Sequence, residues 1–337
     1  MNIMINRFGF CILVLLLLVS CSGNPPETFT PVPLATQLST PVPPAATDIL
    51  TFSPTLMPPA TATQKPLVPN FEHIVIIMFE NKEFGSVIGN SLMPNYNRLA
   101  REYTLLTQYY AVTHPSLPNY IALMGGDTFG IEFNCNDCFI NAPSLPDYIE
   151  ASGRTWKTYQ EDMPEPCFLG DTHLYVQKHN PFIYFDPIRL DPVRCERSIV
   201  PLTALQTDVE AGALPNFLFI KPNLCNDSHD CTLDISDAWL TRLLGYLVPA
   251  LDATGDSYFI AMLFEEGQGN HSCCGLPLEA GGRVPVVLYS PLVKNGFEDP
   301  TPYTHYSLLK TISASWGLPY LGHAAEDSHV LIVEPWK

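Results

Sequence analysis

Three apolar segments of this 337-residue chain end in side chains of the kinds that bind metal ions and phosphate. These side chains are Glu80 and Asn81 after residues 73–79, Asp227 and His229 after residues 216–220, and Glu265 and Glu266 after residues 257–264. Charged residues make up only 15% of the chain, so three polar clusters at the ends of apolar segments stand out. Carboxylate and amide oxygens are hard ligands, and the pattern predicts a divalent-cation site.

A serine in the segment 113–126 is the candidate nucleophile. Pro118 favours the first turn of a helix, which places Ser116 at or near the helix N-cap. The positive end of a helix dipole favours an alkoxide and a bound anion, and an adjacent metal ion would lower the pKa of the hydroxyl further. The alternative that Ser116 serves only as a helix cap stays open at this point.

The candidate residues are predicted to lie at one edge of a parallel sheet. Continuous apolar runs, typical of strands buried on both faces, cover residues 73–79, 216–220, 257–264 and 284–289, with a weaker fifth at 154–159. Helical stretches lie between them at 91–102, 118–124, 145–151, 238–251 and 305–316. This alternation predicts an α/β fold with a largely parallel central sheet flanked by helices, in which ligands bind beyond the carboxyl ends of the strands.

The first 69 residues are predicted to lie outside the folded domain. Residues 1–20 carry one charge and an apolar run of roughly a dozen residues, too short to span a bilayer and typical of a secretory signal. Leu18-Val-Ser-Cys21 resembles a bacterial lipobox, which predicts a lipoprotein acylated at Cys21, anchored to a membrane and facing the cell exterior or periplasm; a plain secretory signal is the alternative. Residues 21–69 hold twelve prolines and predict a disordered linker before one domain at 70–337.

Charge and cysteine content restrict the class of protein. A formal net charge of −17 excludes a nucleic-acid binder that relies on a basic face. Eight cysteines follow the lipobox, and an even number on an exported chain predicts up to four disulfides. Their connectivity stays open, with Cys225 and Cys231 as the easiest local closure. The pair Cys135 and Cys138 also fits half of a zinc knuckle or of a redox motif, but the other half of each is missing.

Seven segments, taken together and in order, resemble the bacterial phosphoesterase family that contains acid phosphatases and phospholipases C, a branch of the alkaline phosphatase superfamily. They are residues 80–82, 114–120, 159–164, 178–182, 223–231, 265–267 and 303–309, and they cover essentially all of 72–325. The closer likeness is to secreted acid phosphatases, including those that act on phosphoinositides. The resemblance implies an alkaline-phosphatase-like fold and metal-dependent hydrolysis of phosphoric esters.

The resemblance also implies roles for individual residues. Those implied at the metal are Glu80, Asn81, Ser116, Glu265 and Glu266; those implied in catalysis are Ser116 as nucleophile, with His229 and Asp227 near the phosphate; those implied at the substrate are Lys178, His179 and His305. Glu265 falls where the family usually has Asp, so its carboxylate is one methylene further from the backbone. Structural roles for His229, Lys178, His179 and His305 stay open as alternatives.

The predicted reaction is hydrolysis of a phosphate monoester through a phosphoseryl intermediate, with a divalent metal ion as cofactor. Hard ligands argue against copper and leave Mg, Ca, Mn, Fe and Zn open. A histidine acting as an acid favours an acidic pH optimum. Two alternatives remain, a phospholipase C-like phosphodiesterase and a non-catalytic surface-binding lipoprotein. The sequence predicts neither the natural substrate nor the oligomeric state.

Overall fold

In the computed structural model, which describes residues 66–337, eight strands form one sheet in the order β4-β3-β5-β1-β6-β7-β2-β8. The strands are β1 (His73–Phe79), β2 (Thr104–Tyr110), β3 (Trp156–Gln160), β4 (Ile199–Pro201), β5 (Phe217–Lys221), β6 (Tyr258–Phe264), β7 (Val286–Tyr289) and β8 (Phe297–Thr304). Strand β7 is antiparallel to both of its neighbours, and every other pair is parallel. The predicted α/β fold with a largely parallel sheet is confirmed.

Helices flank this sheet. Within residues 66–337 they are α1 (Phe84–Val87), α2 (Pro94–Glu102), α3 (Ser116–Gly125), α4 (Leu145–Ala151), α5 (Asp186–Arg189), α6 (Pro192–Ser198), α7 (Thr203–Glu210), α8 (Leu233–Thr254) and α9 (His305–Trp316). Short 3-10 turns cover Gln177–His179, Pro181–Tyr184 and Gly322–Ala325. Helix α9 begins after Thr304, whose hydroxyl accepts a hydrogen bond from the Ser307 amide, and ends before Gly317 in the left-handed conformation.

The centre of the sheet determines where the candidate residues lie. Strand β1 lies between β5 and β6 and is parallel to both, and every residue of these three strands is buried. Parallel strands end at the same edge of a sheet, so the residues after β1 and β6 and the last residue of β5 lie side by side. The apolar runs in the sequence therefore predicted the part of the sheet that carries the site.

The packed domain begins slightly before the predicted boundary at residue 70. Val68 is buried in the core, and the Pro69 carbonyl accepts a hydrogen bond of 2.8 Å from the Ser315 hydroxyl. The predicted signal at 1–20, the acylated Cys21 and the linker up to residue 65 lie outside the described residues. Among the described helices, none combines the length and the apolar character needed to cross a membrane.

The eight cysteines of the described domain are paired in four disulfides. The pairs are Cys135–Cys138, Cys167–Cys195, Cys225–Cys231 and Cys273–Cys274. The prediction of up to four disulfides is confirmed, including the local closure between Cys225 and Cys231. Because Cys135 and Cys138 bond to each other, they are not free thiols for zinc.

Candidate active site

Two buried carboxylates meet at the carboxyl ends of β1 and β6. The backbone amide of Asn81 donates a 2.8 Å hydrogen bond to Glu265 Oε2. Within the described part of the chain, Glu80 Oε2 and Glu265 Oε1 are buried and lack a hydrogen-bond partner. Burial and the neighbouring Glu80 raise the pKa of Glu265 well above its usual range. Burial opposes the ionisation of Glu80 too, but His179 and Lys221 together hold its pKa well below the usual range.

Asn81 joins the strand to this cluster through an uncommon backbone conformation. Its φ is +49°, in the left-handed region that Asn tolerates better than most residues. This turn directly after Glu80 brings the Asn81 amide to the Glu265 carboxylate. Its side chain is half-buried next to the cluster.

Ser116 lies against the second glutamate of the β6 end. Its hydroxyl donates a 3.0 Å hydrogen bond to Glu266 Oε1, and it is only 2% exposed. His114 contacts the other oxygen of that carboxylate through Nδ1, and its Nε2 lies 3.1 Å from the Gly269 carbonyl. Burial raises the pKa of Glu266, against the opposing effect of His114. The arrangement supplies a hydroxyl, an acceptor for its proton and an imidazole on the far side of that acceptor.

Helix α3 forms where a helix was predicted, and Ser116 lies next to its N-cap as expected. Helix α3 starts at Ser116 itself, and Pro115 occupies the N-cap position. The Ser116 side chain does not cap the helix, because its hydroxyl is directed to Glu266 instead. The structure therefore does not support the alternative that Ser116 is only a helix cap.

The segment before α3 is held by one buried amide side chain. Asn119 Oδ1 accepts hydrogen bonds from the Val112 and Thr113 amides at 2.8 and 3.1 Å, and its Nδ2 donates to the Thr113 carbonyl at 2.7 Å. Across from this segment, a side chain at Gly281 would collide with the Thr113 carbonyl oxygen. One turn after Ser116, the Tyr120 hydroxyl donates to Glu80 Oε1. Helix α3 thus contacts Glu266 through Ser116 and Glu80 through Tyr120.

A third group of side chains lies on the other side of Glu80. The Lys221 ammonium is 2.5 Å from Asp227 Oδ2 and 3.3 Å from Glu80 Oε1. His179 Nε2 lies 3.2 Å from Glu80 Oε2, and burial lowers the pKa of this imidazole to about 3, which keeps it neutral. Glu80, His179 and Asp227 offer ligand atoms that all lie within 4.8 Å of one another.

The remaining predicted residues differ in how they approach this cluster. The His229 side chain is 33% exposed, and its Nδ1 lies 2.6 Å from Asp230 Oδ1. Asp227 accepts a hydrogen bond from the His229 backbone amide, at 2.8 Å, and does not bond its ring. The His229 ring nevertheless faces the cluster, with its centroid 6.1 Å from that of His179. Lys178 is half-buried next to His179.

His305 was predicted to contact substrate, but the structure places it behind the site. It is fully buried, with Nε2 at 2.6 Å from the Glu265 carbonyl oxygen and Nδ1 at 3.1 Å from the Tyr109 hydroxyl. Burial lowers its pKa to about 4. Since both ring nitrogens are engaged behind Glu265, this geometry favours a positioning role for His305.

Three side chains of the cluster were missed by sequence reasoning, namely His114, Tyr120 and Lys221. His114 and Tyr120 lie within the family-like segment 114–120 but were not assigned roles. Lys221 could have been found from the sequence, because it is a charged residue at the end of an apolar strand. A lysine at that position must be paired if it is buried.

The donor set fits a divalent cation. Four carboxylates are buried here, and they are Glu80, Asp227, Glu265 and Glu266. Two of their oxygens have no hydrogen-bond partner, and Glu265 is hard to ionise beside Glu80 unless positive charge is supplied. Hard oxygen donors of this kind bind such ions as Mg²⁺, Ca²⁺ and Mn²⁺.

Residues 90–319 match the Phosphoesterase family. The chain belongs to the phosphoesterase family. It is 37% identical over 263 residues to a phosphate-repressible acid phosphatase from Penicillium chrysogenum, in an alignment that covers 75% of this chain and 60% of that protein. It is 32% identical over 264 residues to a phosphatidylinositol-3-phosphatase from Mycobacterium tuberculosis, covering 76% of this chain and 81% of that one. The chain thus spans somewhat less than two thirds of the fungal relative.

Comparison with solved structures agrees on the fold. The lipoteichoic acid synthase LtaP from Listeria monocytogenes aligns with a TM-score of 0.53 at 11% identity, covering 78% of this chain and 76% of that one. At this identity the likeness concerns the fold alone. The resemblance to phosphoesterases and the predicted alkaline-phosphatase-like fold are confirmed, but the description of the family as bacterial is not, because relatives are fungal as well as mycobacterial.

Proposed function

We propose that this phosphoesterase-family chain is a metal-dependent hydrolase of phosphoric esters, of the acid phosphatase type, with Ser116 as its nucleophile. The observation that carries the proposal is the position of the Ser116 hydroxyl. It lies at the start of α3, 3.0 Å from the Glu266 carboxylate, beside the end of the strand that also supplies Glu265. A helix N-terminus favours the phosphate anion, and the carboxylates supply ligands for a cation.

In this mechanism Ser116 Oγ attacks phosphorus, so the Oγ–P bond forms while the bond from phosphorus to the ester oxygen breaks. Glu266 takes the hydroxyl proton, and His114 on its other oxygen disperses the charge. A divalent ion held by Glu80, Asn81, Ser116, Glu265 and Glu266 would act as a Lewis acid and lower the pKa of the hydroxyl. Water then cleaves the phosphoserine.

The other polar groups of the cluster are assigned to the phosphoryl oxygens. Burial keeps His179 a neutral imidazole at neutral pH, so one ring nitrogen would donate a hydrogen bond to a phosphoryl oxygen. His229 is partly exposed beside it and is the candidate to protonate the leaving oxygen. Lys178, the half-buried neighbour of His179 in the chain, is a second candidate for contact with the phosphate. Fixed donors around a phosphoryl group stabilise the charge that spreads over its oxygens in the transition state.

The substrate class proposed is a phosphate monoester, since the relatives named above are an acid phosphatase and a phosphatidylinositol-3-phosphatase. A phosphoinositide is the more specific candidate, and it agrees with the proposed lipid anchor at Cys21, which would hold the domain near a membrane. Export as a lipoprotein by the signal at 1–20 belongs to the same proposal.

The test is hydrolysis of an aryl phosphate monoester and of the matched diester, with and without a chelator. We expect release of the phenol from the monoester, loss of activity after chelation and recovery when a divalent ion is restored. A preference for the diester would favour the phospholipase C-like alternative. Absence of turnover on both esters with every divalent ion supplied would contradict the proposal and favour a binding protein.

A further inference from the structure

Lys221 is the one described lysine whose ammonium group lies among the buried carboxylates of the site. It is the last residue of β5 and is only 2% exposed. Its Nζ contacts Asp227 Oδ2 at 2.5 Å and Glu80 Oε1 at 3.3 Å. The His179 ring is in contact with the same two carboxylates, at 3.2 Å from Glu80 and 3.7 Å from Asp227.

The position that Lys221 occupies has the donors of a cation site. Glu80, His179 and Asp227 present three ligand atoms within 4.8 Å of one another, a set that suits a divalent metal. Lys221 contacts two of these three residues, so its ammonium competes directly with an ion for their oxygens.

On the side formed by Glu265 and Glu266, no described lysine or arginine forms an ion pair with a carboxylate. Glu265 Oε1 is buried and has no hydrogen-bond partner among the described residues. Ser116 also lies on this side, against Glu266. The cluster therefore has one side neutralised by Lys221 and another, at Glu265, with an unsatisfied carboxylate oxygen.

We propose that Lys221 acts as a built-in second cation, so that the centre binds a single divalent ion on the Glu265 side. The ammonium occupies the Asp227 side and excludes a second metal ion, while it supplies positive charge that a chelator cannot remove. This inference rests on the metal dependence of the proposed function but concerns the number of ions. The alternative is that Lys221 only neutralises a buried carboxylate. In that case its removal would destabilise the fold but would not create a new metal site.

Titration of the full chain with Mn²⁺, after chelation and followed by electron paramagnetic resonance, separates the two roles. The wild-type chain is expected to bind one equivalent, with the signal of an isolated ion. Lys221→Gln frees Glu80, His179 and Asp227, and we expect a second equivalent that is magnetically coupled to the first through shared Glu80. The second ion should bind the variant at least about tenfold more tightly than any second ion binds wild type.

A matched control is Lys157→Gln. Lys157 forms a comparable ion pair, 2.6 Å from Asp208, on β3 and away from the cluster. This variant is expected to bind one equivalent like wild type. Lys221→Arg keeps the positive charge and should also bind one.

Two results would overturn the proposal. One is a folded Lys221→Gln chain that still binds a single ion, and the other is a coupled ion pair in wild type. The wild-type titration and Lys221→Arg do not depend on the stability of Lys221→Gln, so the proposal can fail even if that variant does not fold. Hydrolysis of the aryl phosphate by the one-ion wild type is measured in parallel, so a failure of the proposed function is recognised separately.

Discussion

At the scale of single residues, the site is a set of buried charges whose positions are explained by one another. Burial opposes the ionisation of Glu80, but His179 and Lys221 hold its pKa well below the usual range, whereas burial and the neighbouring Glu80 raise the pKa of Glu265. A divalent ion would reverse that balance for Glu265, since a cation favours the charged form of an adjacent carboxyl. Metal binding and the ionisation of Glu265 are therefore coupled.

Removing the Glu265 carboxylate tests this coupling. Glu265→Ala is expected to lose both metal content and turnover, because the ion loses a hard ligand and its neutralising charge. Glu265→Asp places the shorter side chain usual in the family and should retain activity. Metal analysis and aryl phosphate hydrolysis of both variants check this, with exposed Glu298→Gln as the control. Unchanged metal content and rate in Glu265→Ala would remove this residue from the site.

His305 gives the domain a pH-dependent stability. Its pKa is lowered by burial to about 4 in the folded chain, against about 6.5 in an unfolded one, so the unfolded state binds more protons between these values. The neutral imidazole thus contributes stability above pH ~6.5 that is lost as the pH falls toward 4.

Denaturant unfolding at pH 7.5 and pH 5.0 measures this contribution. On going from pH 7.5 to pH 5.0, the free energy of unfolding of wild type should fall by about 2 kcal/mol more than that of His305→Gln. Each unit of pKa shift corresponds to ~1.4 kcal/mol. An equal loss of unfolding free energy in both proteins would show that His305 does not couple folding to protonation. The result bears on the expected acidic pH optimum, which this residue would oppose.

At the scale of elements, the site depends on how α3 begins. Asn119 ties the segment before the helix to its first turn, and the helix carries Ser116 and Tyr120 to two different carboxylates. The strands supply the carboxylates and the helix supplies the hydroxyl. A displacement of the first turn of α3 would therefore separate the Ser116 hydroxyl from Glu266.

Asn119→Ala tests the importance of this start. Loss of buried hydrogen bonds to the Val112 amide and to both backbone groups of Thr113 should lower the free energy of unfolding by about 1–3 kcal/mol. Turnover should fall by tenfold or more, because a displacement of reacting groups by ~1 Å slows an enzymatic reaction steeply. Kinetics and unfolding of Asn119→Ala and of the control Asn95→Ala check this. A rate equal to wild type would mean that Ser116 is positioned independently of Asn119.

The elements also divide into those that the sequence predicts and those that it does not. Strands β1, β5 and β6 were predicted because burial on both faces requires continuous apolar residues. Strand β8 was missed because its two prolines and its acidic residues are typical of loops, although both are compatible with the edge of a sheet. Helix α8 was predicted too short at both ends, since a helix was expected over 238–251 and the structure has Leu233–Thr254.

Within the site, residues that end strands could be predicted, but contacts between distant segments could not. The 2.5 Å pairing of Lys221 with Asp227 joins residues only six apart, yet its third member, Glu80, comes from another strand. The contact of His305 with the Glu265 carbonyl likewise depends on where α9 lies relative to the residues after β6. Such pairings arise from tertiary packing, which composition and spacing do not specify.

At the scale of the whole molecule, the proposed lipid anchor at Cys21 would hold the site near a membrane. The domain described from residue 66 carries the disulfides, which agrees with export. Cys21→Ala should abolish acylation and release the protein from membranes or leave its precursor unprocessed. Fractionation of cells that express wild type or the variant checks this. If the variant partitions with membranes as wild type does, the lipoprotein hypothesis is wrong; Cys11→Ala is the control.

The most direct test of the account is to trap the phosphoserine. During turnover of a labelled phosphate monoester, rapid acid quench of wild type should yield a phosphoprotein whose label maps to residue 116. Ser116→Ala should remain folded and bind metal, carry no label and lose several orders of magnitude in rate, because attack by unpositioned water replaces attack by a bound nucleophile. Ser313→Ala, a buried serine on α9, should behave like wild type. A folded, metal-loaded Ser116→Ala chain with more than about a tenth of the wild-type rate would contradict nucleophilic catalysis by Ser116.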